Sequence, residues 1–93
     1  MANNIHVSYT LGEPARSDDA IVLKIKELGS WAKINSRLWY VSSVYTAREA
    51  ANHIITAMSA QDELYVVDAT HNSSVWNALP KNVDERIRTQ WFK

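Results

Sequence analysis

Residues 5–11 have the sequence Ile-His-Val-Ser-Tyr-Thr-Leu, in which apolar and polar side chains alternate without interruption. A period of two is typical of a β-strand that turns one face to the core and the other away from it. Gly12 follows directly and interrupts the alternation. We therefore predict a half-buried strand at this position.

A helix is predicted to follow this strand. Ser17 is a favourable N-cap residue, because its hydroxyl can accept a bond from a free amide of the first turn. Apolar side chains then recur at helical spacing from Ile21 to Leu28. Gly29 stands where a left-handed C-cap residue is expected. Together these features predict a helix over residues 18–28.

Two short strands joined by a tight turn are predicted between residues 31 and 43. On the second of them, Trp39 and Val41 share one face, while Leu38 and Tyr40 share the other. Large apolar groups on both faces indicate a strand that is covered on both sides, or covered on one side and used for contact on the other.

The next two elements have strong local signals. Thr46 and Glu49 have the spacing of a capping box, which predicts that a second helix begins here. Residues 64–69, Leu-Tyr-Val-Val-Asp-Ala, are rich in residues that favour strands and predict a further strand.

Beyond that strand the pattern is looser. One helical turn is predicted from Val75 to Leu79, and Asn82 is predicted to cap a last helix with Trp91 on its apolar side.

The predicted order is β-α-β-β-α-β with a C-terminal helical extension. Two helices on one face of a four-stranded antiparallel sheet form the ferredoxin-like sandwich, an α+β fold. We predict a single domain over residues 1–93, with a core at 4–70 and an extension at 71–93. In this order, only the extension or a partner is left to cover the second face of the sheet.

Composition excludes several classes of protein. The chain has ten basic and ten acidic residues and no cysteine, which excludes disulfides, thiolate zinc sites and a cysteine nucleophile. We see no signal peptide and no apolar run of the roughly 20 residues that span a bilayer. We therefore expect a cytoplasmic protein that needs no cofactor and does not enter a membrane.

Several local patterns occur together in this chain, namely Leu-Gly-Ser-Trp at 28–31, Ser-Arg-Leu-Trp-Tyr-Val at 36–41, Asp-Glu-Leu-Tyr-Val-Val at 62–67 and Val-Trp-Asn at 75–77. In combination they resemble the SinR-like small bacterial and phage proteins. Those proteins are similar to the small dimeric protein of the CRISPR adaptation machinery and to VapD-type ribonucleases. The resemblance covers about residues 5–79. It implies a ferredoxin-like fold, a homodimer formed through sheet surfaces, and a role in phage defence or counter-defence.

The same resemblance bears on catalysis. Nuclease activity in the CRISPR-associated relatives is attached to an aspartate at the end of the first strand, where carboxylates can hold a divalent cation. The matching stretch here, residues 9–11, is Tyr-Thr-Leu and contains no carboxylate. We therefore predict no catalytic residue and no metal ligand, with a degenerate metal-dependent nuclease as one alternative.

Our first functional hypothesis is a non-enzymatic homodimeric binding protein. We predict that Leu38, Tyr40 and Tyr65 lie on an uncovered sheet surface that meets a second copy. A further protein partner is expected but is not identified by the sequence.

The alternative hypothesis is nucleic-acid binding. Residues 24–48 contain five basic residues and one acidic residue, whereas residues 49–68 contain four acidic residues and no Lys or Arg. This asymmetry can produce one basic and one acidic surface. The residues predicted to contact nucleic acid are Lys24, Lys33, Arg37 and Arg48, with exposed aromatic side chains of the sheet stacking on bases.

Overall fold

The protein consists of four strands and three helices in the computed structural model, which describes residues 2–13 and 16–91. The ends of the predicted 1–93 domain thus lie outside the described residues. In chain order, the elements are β1 (Asn3–Thr10), α1 (Asp19–Lys26), β2 (Gly29–Asn35), β3 (Leu38–Ser43), α2 (Ala47–Ile55), β4 (Glu63–Asp68) and α3 (Lys81–Gln90).

The strands form one sheet in the order β2-β3-β1-β4, and each neighbouring pair is antiparallel. The two central strands, β1 and β3, are flanked on both sides, which leaves β2 and β4 as the edge strands. With α1 and α2 packed on one face, this is the predicted ferredoxin-like α+β sandwich.

The face of the sheet under α1 and α2 carries the main core. The alternation of β1 places Ile5, Val7 and Tyr9 on this face, and all three are buried. Trp39 and Val41 of β3 lie beside them, as the sequence predicts. Full burial of an aliphatic or aromatic side chain contributes roughly 1.5–3 kcal/mol. The helices complete this core with Ile21, Ile25, Ala50 and Ile54.

The start of α2 confirms the predicted capping box. The Glu49 amide donates to the Thr46 hydroxyl at 3.1 Å, and the Thr46 amide donates to the Glu49 carboxylate at 2.9 Å. Two free amides of the first turn are thereby satisfied.

The prediction for Gly29 is wrong. Gly29 is not a left-handed cap, since no glycine of the described residues has positive φ, and it is instead the first residue of β2. A Cβ atom at this position would collide with the carbonyl oxygen of Ser42 on β3. Close approach of two strands, rather than the end of a helix, therefore requires glycine here.

The second face of the sheet is covered by α3. Val83, Ile87 and Trp91 lie along one side of this helix and pack on Ala32 and Tyr40. These five side chains form a second, smaller buried cluster, and it is the C-terminal extension that supplies its outer wall. The prediction of an uncovered sheet surface is therefore wrong over the area that α3 occupies.

The chain leading into α3 also differs from its prediction. Residues 75–79 form no helical turn, and Ala78 has a positive φ of 61°. The helix begins at Lys81 after Pro80, so Asn82 is inside it and is not its cap. Proline is well suited to this position, because its ring clashes with the preceding residue in the α conformation and so disfavours a helix before it.

A buried hydrogen-bond chain fixes α3 to the sheet. The Asn4 side-chain amide donates to the Trp91 carbonyl at 2.7 Å, and the Tyr40 hydroxyl donates to the Asn4 side-chain oxygen at 2.8 Å. The Trp91 indole donates to the Asn72 carbonyl at 3.0 Å. Since buried polar groups are costly when unpaired, these bonds specify where α3 lies.

Candidate functional site

The three residues predicted to form a partner surface lie in three different environments. Tyr40 has 0% exposure beneath α3, and burial raises its pKa to about 12. It is therefore not available to a partner or to a stacked base, and this part of the prediction is corrected. Leu38 is half-buried, whereas Tyr65 on β4 is 70% exposed.

Leu38 lines a cavity of about 210 Å³ between the sheet and the segment that precedes α3. His6, Trp76 and Ile87 form part of its wall. Burial lowers the pKa of His6, so its ring is held in the neutral form. Pockets for drug-sized ligands are usually about 300–1,000 Å³, so we assign this smaller cavity to incomplete packing under α3.

The four basic residues of the alternative hypothesis lie at three separate places, namely the two edges of the sheet and α1. Lys33 belongs to the edge strand β2, and Arg37 in the adjoining turn is paired with Asp18 at 2.7 Å. Arg48 on α2 borders the opposite edge strand, β4. Lys24 is paired with Glu27 at 3.8 Å on α1. The structure therefore does not bring these four cations together as one surface.

The first candidate site is an open groove of about 540 Å³ between α2 and β4, which we call the β4 groove. Its helical wall combines small and apolar side chains, including the 53% exposed Ile55, with the polar Arg48 and Asn52, and its other wall is the edge strand. The lining residues are Ala47, Arg48, Ala51, Asn52, Ile55, Leu64 and Val66.

Among residues 2–13 and 16–91, no strand pairs with the outer side of β4 along this groove. The Ala69 amide donates to the Asn4 carbonyl, which fixes the alternation of the β1–β4 ladder. Neighbouring residues of a strand point their amide and carbonyl groups to opposite sides. Leu64 and Val66 must therefore direct theirs away from β1, along the unpaired edge.

The second candidate site lies at the other edge, between β2 and α3, and we call it the β2 groove. It has a volume of about 340 Å³. The Tyr9 amide donates to the Arg37 carbonyl. This bond fixes which residues of β3 direct their backbone groups towards β1 and which direct them towards β2. Trp31 and Lys33 therefore direct their backbone groups outward from β2. The groove is lined by Trp31, Ala32, Lys33, Pro80, Asn82, Val83 and Arg86.

The strands at the two edges differ in their flanking charges. At the β2 edge, Lys33 and Arg86 line the groove, and the Lys26 ammonium lies 4.5 Å from the centre of the Trp31 ring. At the β4 edge, Glu63 and Asp68 are exposed at the two ends of the strand, while Arg48 lines the groove from α2. The sequence asymmetry between residues 24–48 and 49–68 is thus partly retained, with basic side chains at the β2 edge and acidic ends on β4.

A cluster beside the acidic edge is structural. The Asp62 carboxylate accepts from the Gly12 and Ser59 amides at 2.8 and 2.9 Å and is paired with the Arg16 guanidinium. The Arg16 side chain, followed by these amides, holds the pKa of Asp62 far below its usual range. This carboxylate therefore fastens the start of β4 to the loop after β1.

Residues 2–13 and 16–91 contain no candidate for a metal-binding group or a membrane-spanning helix. Nowhere in this part of the chain do three His, Asp or Glu side chains come together as a metal-binding group. Nor does any helix within it have the length and apolar character that a membrane crossing requires.

The sequence does not predict the two grooves, because each is formed between a strand and a helix and is not apparent from either element alone. Ala47 and Ala51 are spaced four apart on α2, and small side chains at this spacing favour close packing of a helix on a sheet. The residues of α2 that are buried are Ala50 and Ile54, while the other two alanines border the β4 groove. An informative signal was Tyr65, an aromatic residue between two half-buried positions of a strand.

Comparison with known proteins finds no match: no family model, no curated protein and no solved structure is significantly similar to this chain. The resemblance to SinR-like proteins therefore stays a prediction. Support for a function comes from the two groove-and-edge sites.

Proposed function

We propose that this chain is a non-enzymatic binding protein that associates with a second copy of itself by strand addition at the edge of its sheet. The observation that carries the proposal is the unpaired edge of β4, which lies beside an open apolar groove. The sequence predicts that two copies meet through a face of the sheet, whereas this proposal places their contact at an edge of the sheet.

Physical chemistry supports strand addition at such an edge. A row of unpaired amide and carbonyl groups is a template for another strand, and proteins usually shorten, charge or cover their edges to prevent pairing. Here β4 is six residues long, and its charges are confined to its two ends. Main-chain hydrogen bonds supply affinity in this mode of recognition, while side-chain pockets beside the strand supply specificity.

The exposed apolar side chains add to this support. Ile55 on α2 and Tyr65 on β4 are 53% and 70% exposed, and they lie on opposite faces of the edge strand. An added strand would cover both of them. Apolar area removed from water contributes roughly 25 cal/mol per Å² before the costs of association, and a specific interface buries about 800 Å² per partner.

The test is the mass of the particle in solution. We expect the native chain to sediment above the 10.6 kDa of a monomer at micromolar to submillimolar concentration. Val66→Pro should reduce it to the monomer, because proline removes an outward amide that makes no bond within the sheet. Val66→Ala keeps this amide and controls for the lost packing of the valine side chain. A native chain that stays monomeric throughout this range would contradict the proposal.

A further inference from the structure

We infer that the occupant of the β2 groove is β4 of a second copy, so that copies of this chain associate head to tail and each uses both edges. This inference rests on the proposed function and goes further, since it names which two surfaces meet. It follows from strand direction, side-chain face and charge.

Strand direction permits this pairing without rotation of the partner. Because each neighbouring pair in the order β2-β3-β1-β4 is antiparallel, the two edge strands run in opposite directions. A copy displaced sideways in the plane of the sheet therefore presents its β4 antiparallel to β2 of the first molecule. The combined sheet keeps the same alternation through both molecules.

The outward-facing residues also match in spacing and in face. The residues with outward-directed backbone groups are Trp31 and Lys33 on β2 and Leu64 and Val66 on β4. All four side chains lie on the face of the sheet that carries α1 and α2. Pairing Trp31 with Val66 of the second copy therefore brings Lys33 opposite its Leu64. Both molecules then keep their α1–α2 layer on the same side of the continuous sheet.

In this register, Tyr65 of the second copy lies opposite Ala32 of the first, on the face that carries α3. Ala32 is a small residue on the wall of the β2 groove, with Val83 and Arg86 of α3 beside it. The exposed ring of Tyr65 thus meets the β2 groove at Ala32, where the strand has a small side chain. An arginine beside an aromatic ring adds a favourable cation–π contact.

Charge favours head-to-tail pairing over either symmetric arrangement. A β4–β4 seam would bring together Glu63 and Asp68 from both molecules, and a β2–β2 seam would bring together Lys33 and Arg86 from both. Like charges that meet along strands are destabilising, whereas opposite charges stabilise them. Pairing β2 with β4 instead sets the basic side chains beside β2 near the acidic ends of β4.

Complementation between two edge variants tests the inference. Val66→Pro disables β4, and Lys33→Pro disables β2 by removing an outward amide of that strand. We expect each variant alone to sediment at 10.6 kDa and an equimolar mixture to contain a 1:1 complex of twice that mass, through the intact β2 of one and the intact β4 of the other. Lys33→Gln controls for the lost charge and should retain association of the native type.

Other outcomes would overturn the inference, with different consequences for the proposed function. If Lys33→Pro associates as the native chain does while Val66→Pro is monomeric, the partner of β4 is β4 and only the head-to-tail inference fails. If both variants are monomeric and their mixture stays monomeric, the two edges do not meet. If the native chain is itself a monomer, the proposed function fails as well.

Folding of the variants is checked by circular dichroism before these masses are compared. Should either proline variant fail to fold, Tyr65→Lys replaces Val66→Pro and Arg86→Glu replaces Lys33→Pro, because both side chains are exposed. Each alone should weaken association at least tenfold. No weakening in a folded variant would equally overturn the inference.

Discussion

The two faces of the sheet are both covered, but they are held by different interactions. The α1–α2 face buries a broad apolar cluster to which two helices and three strands contribute. The α3 face buries a smaller cluster under one helix, which depends on the buried side chain of Asn4 for its attachment. The comparison teaches that apolar burial fixes the first face, whereas a specific polar contact positions the second.

The largest effect that would test this contrast comes from matched truncations of isoleucine. Ile25 lies in the cluster under α1 and α2, and Ile87 lies in the cluster under α3. Truncation of a buried isoleucine to alanine costs about 2–5 kcal/mol. We expect a loss in the upper part of this range for Ile25→Ala, with global unfolding. We expect a loss in the lower part for Ile87→Ala, because the cluster around it is smaller.

Denaturant unfolding measures both changes, and hydrogen exchange shows where each acts. Ile87→Ala should raise exchange in α3 well before it does so in the central strands. Equal free-energy changes, with exchange raised uniformly by both, would show that the two faces form one cooperative unit.

The second test addresses the polar attachment. Asn4→Ala removes the bond to the Trp91 carbonyl and leaves the Tyr40 hydroxyl without its partner. A buried polar group left unsatisfied costs about 1–3 kcal/mol. We expect a loss of this size in the free energy of unfolding, together with increased exchange in α3.

Tyr40→Phe in the Asn4→Ala background is the matched control, since it removes the orphaned hydroxyl. It should recover part of the loss, and a double-mutant cycle measures the coupling of the two residues. If the second substitution adds a further loss of its own, the polar chain does not position α3.

The smallest expected effect is a pH dependence confined to the second face. His6 lies against the rings of Tyr40 and Trp91, and burial lowers its pKa from the ordinary value of 6.5. As pH falls below about 6.5, the unfolded chain binds this proton before the folded chain does. The free energy of unfolding must therefore decrease as pH falls from 7 towards about 5.

Thermal melting as a function of pH measures this decrease, and His6→Phe should remove it. The carboxylates whose pKa values are lowered, such as Asp18 with the Tyr9 hydroxyl and Asp84 with the Trp76 indole, titrate below this interval. If His6→Phe retains the full pH dependence, protonation of His6 is not its cause.

Much of the first face could be predicted from the sequence because its signals are local. The alternation in residues 5–11 and the capping box at Thr46 each lie within a few positions of chain, and both were confirmed. The side-chain faces of Trp39 and Tyr40 followed from the strand period of two.

The second face and the grooves could not be predicted in this way. Asn4 and Trp91 are 87 positions apart, and no periodicity connects an asparagine in the first strand with the carbonyl that ends the last helix. Gly29 was misassigned for a similar reason, since the obstacle to a Cβ atom there is the carbonyl of Ser42 on another strand. Which strands lie at the edges, and what charge flanks them, emerges only from the sheet order.

The attachment of α3 also has a consequence for biosynthesis. Chains emerge from the ribosome at about 5–20 residues per second, and their earlier parts begin to fold first. The strand that carries Asn4 emerges before the other strands of the sheet, yet its bond to Trp91 forms only after 87 further residues have been added. During these seconds Tyr40 and its neighbours face water, and a nascent chain stalled before α3 would present them to chaperones.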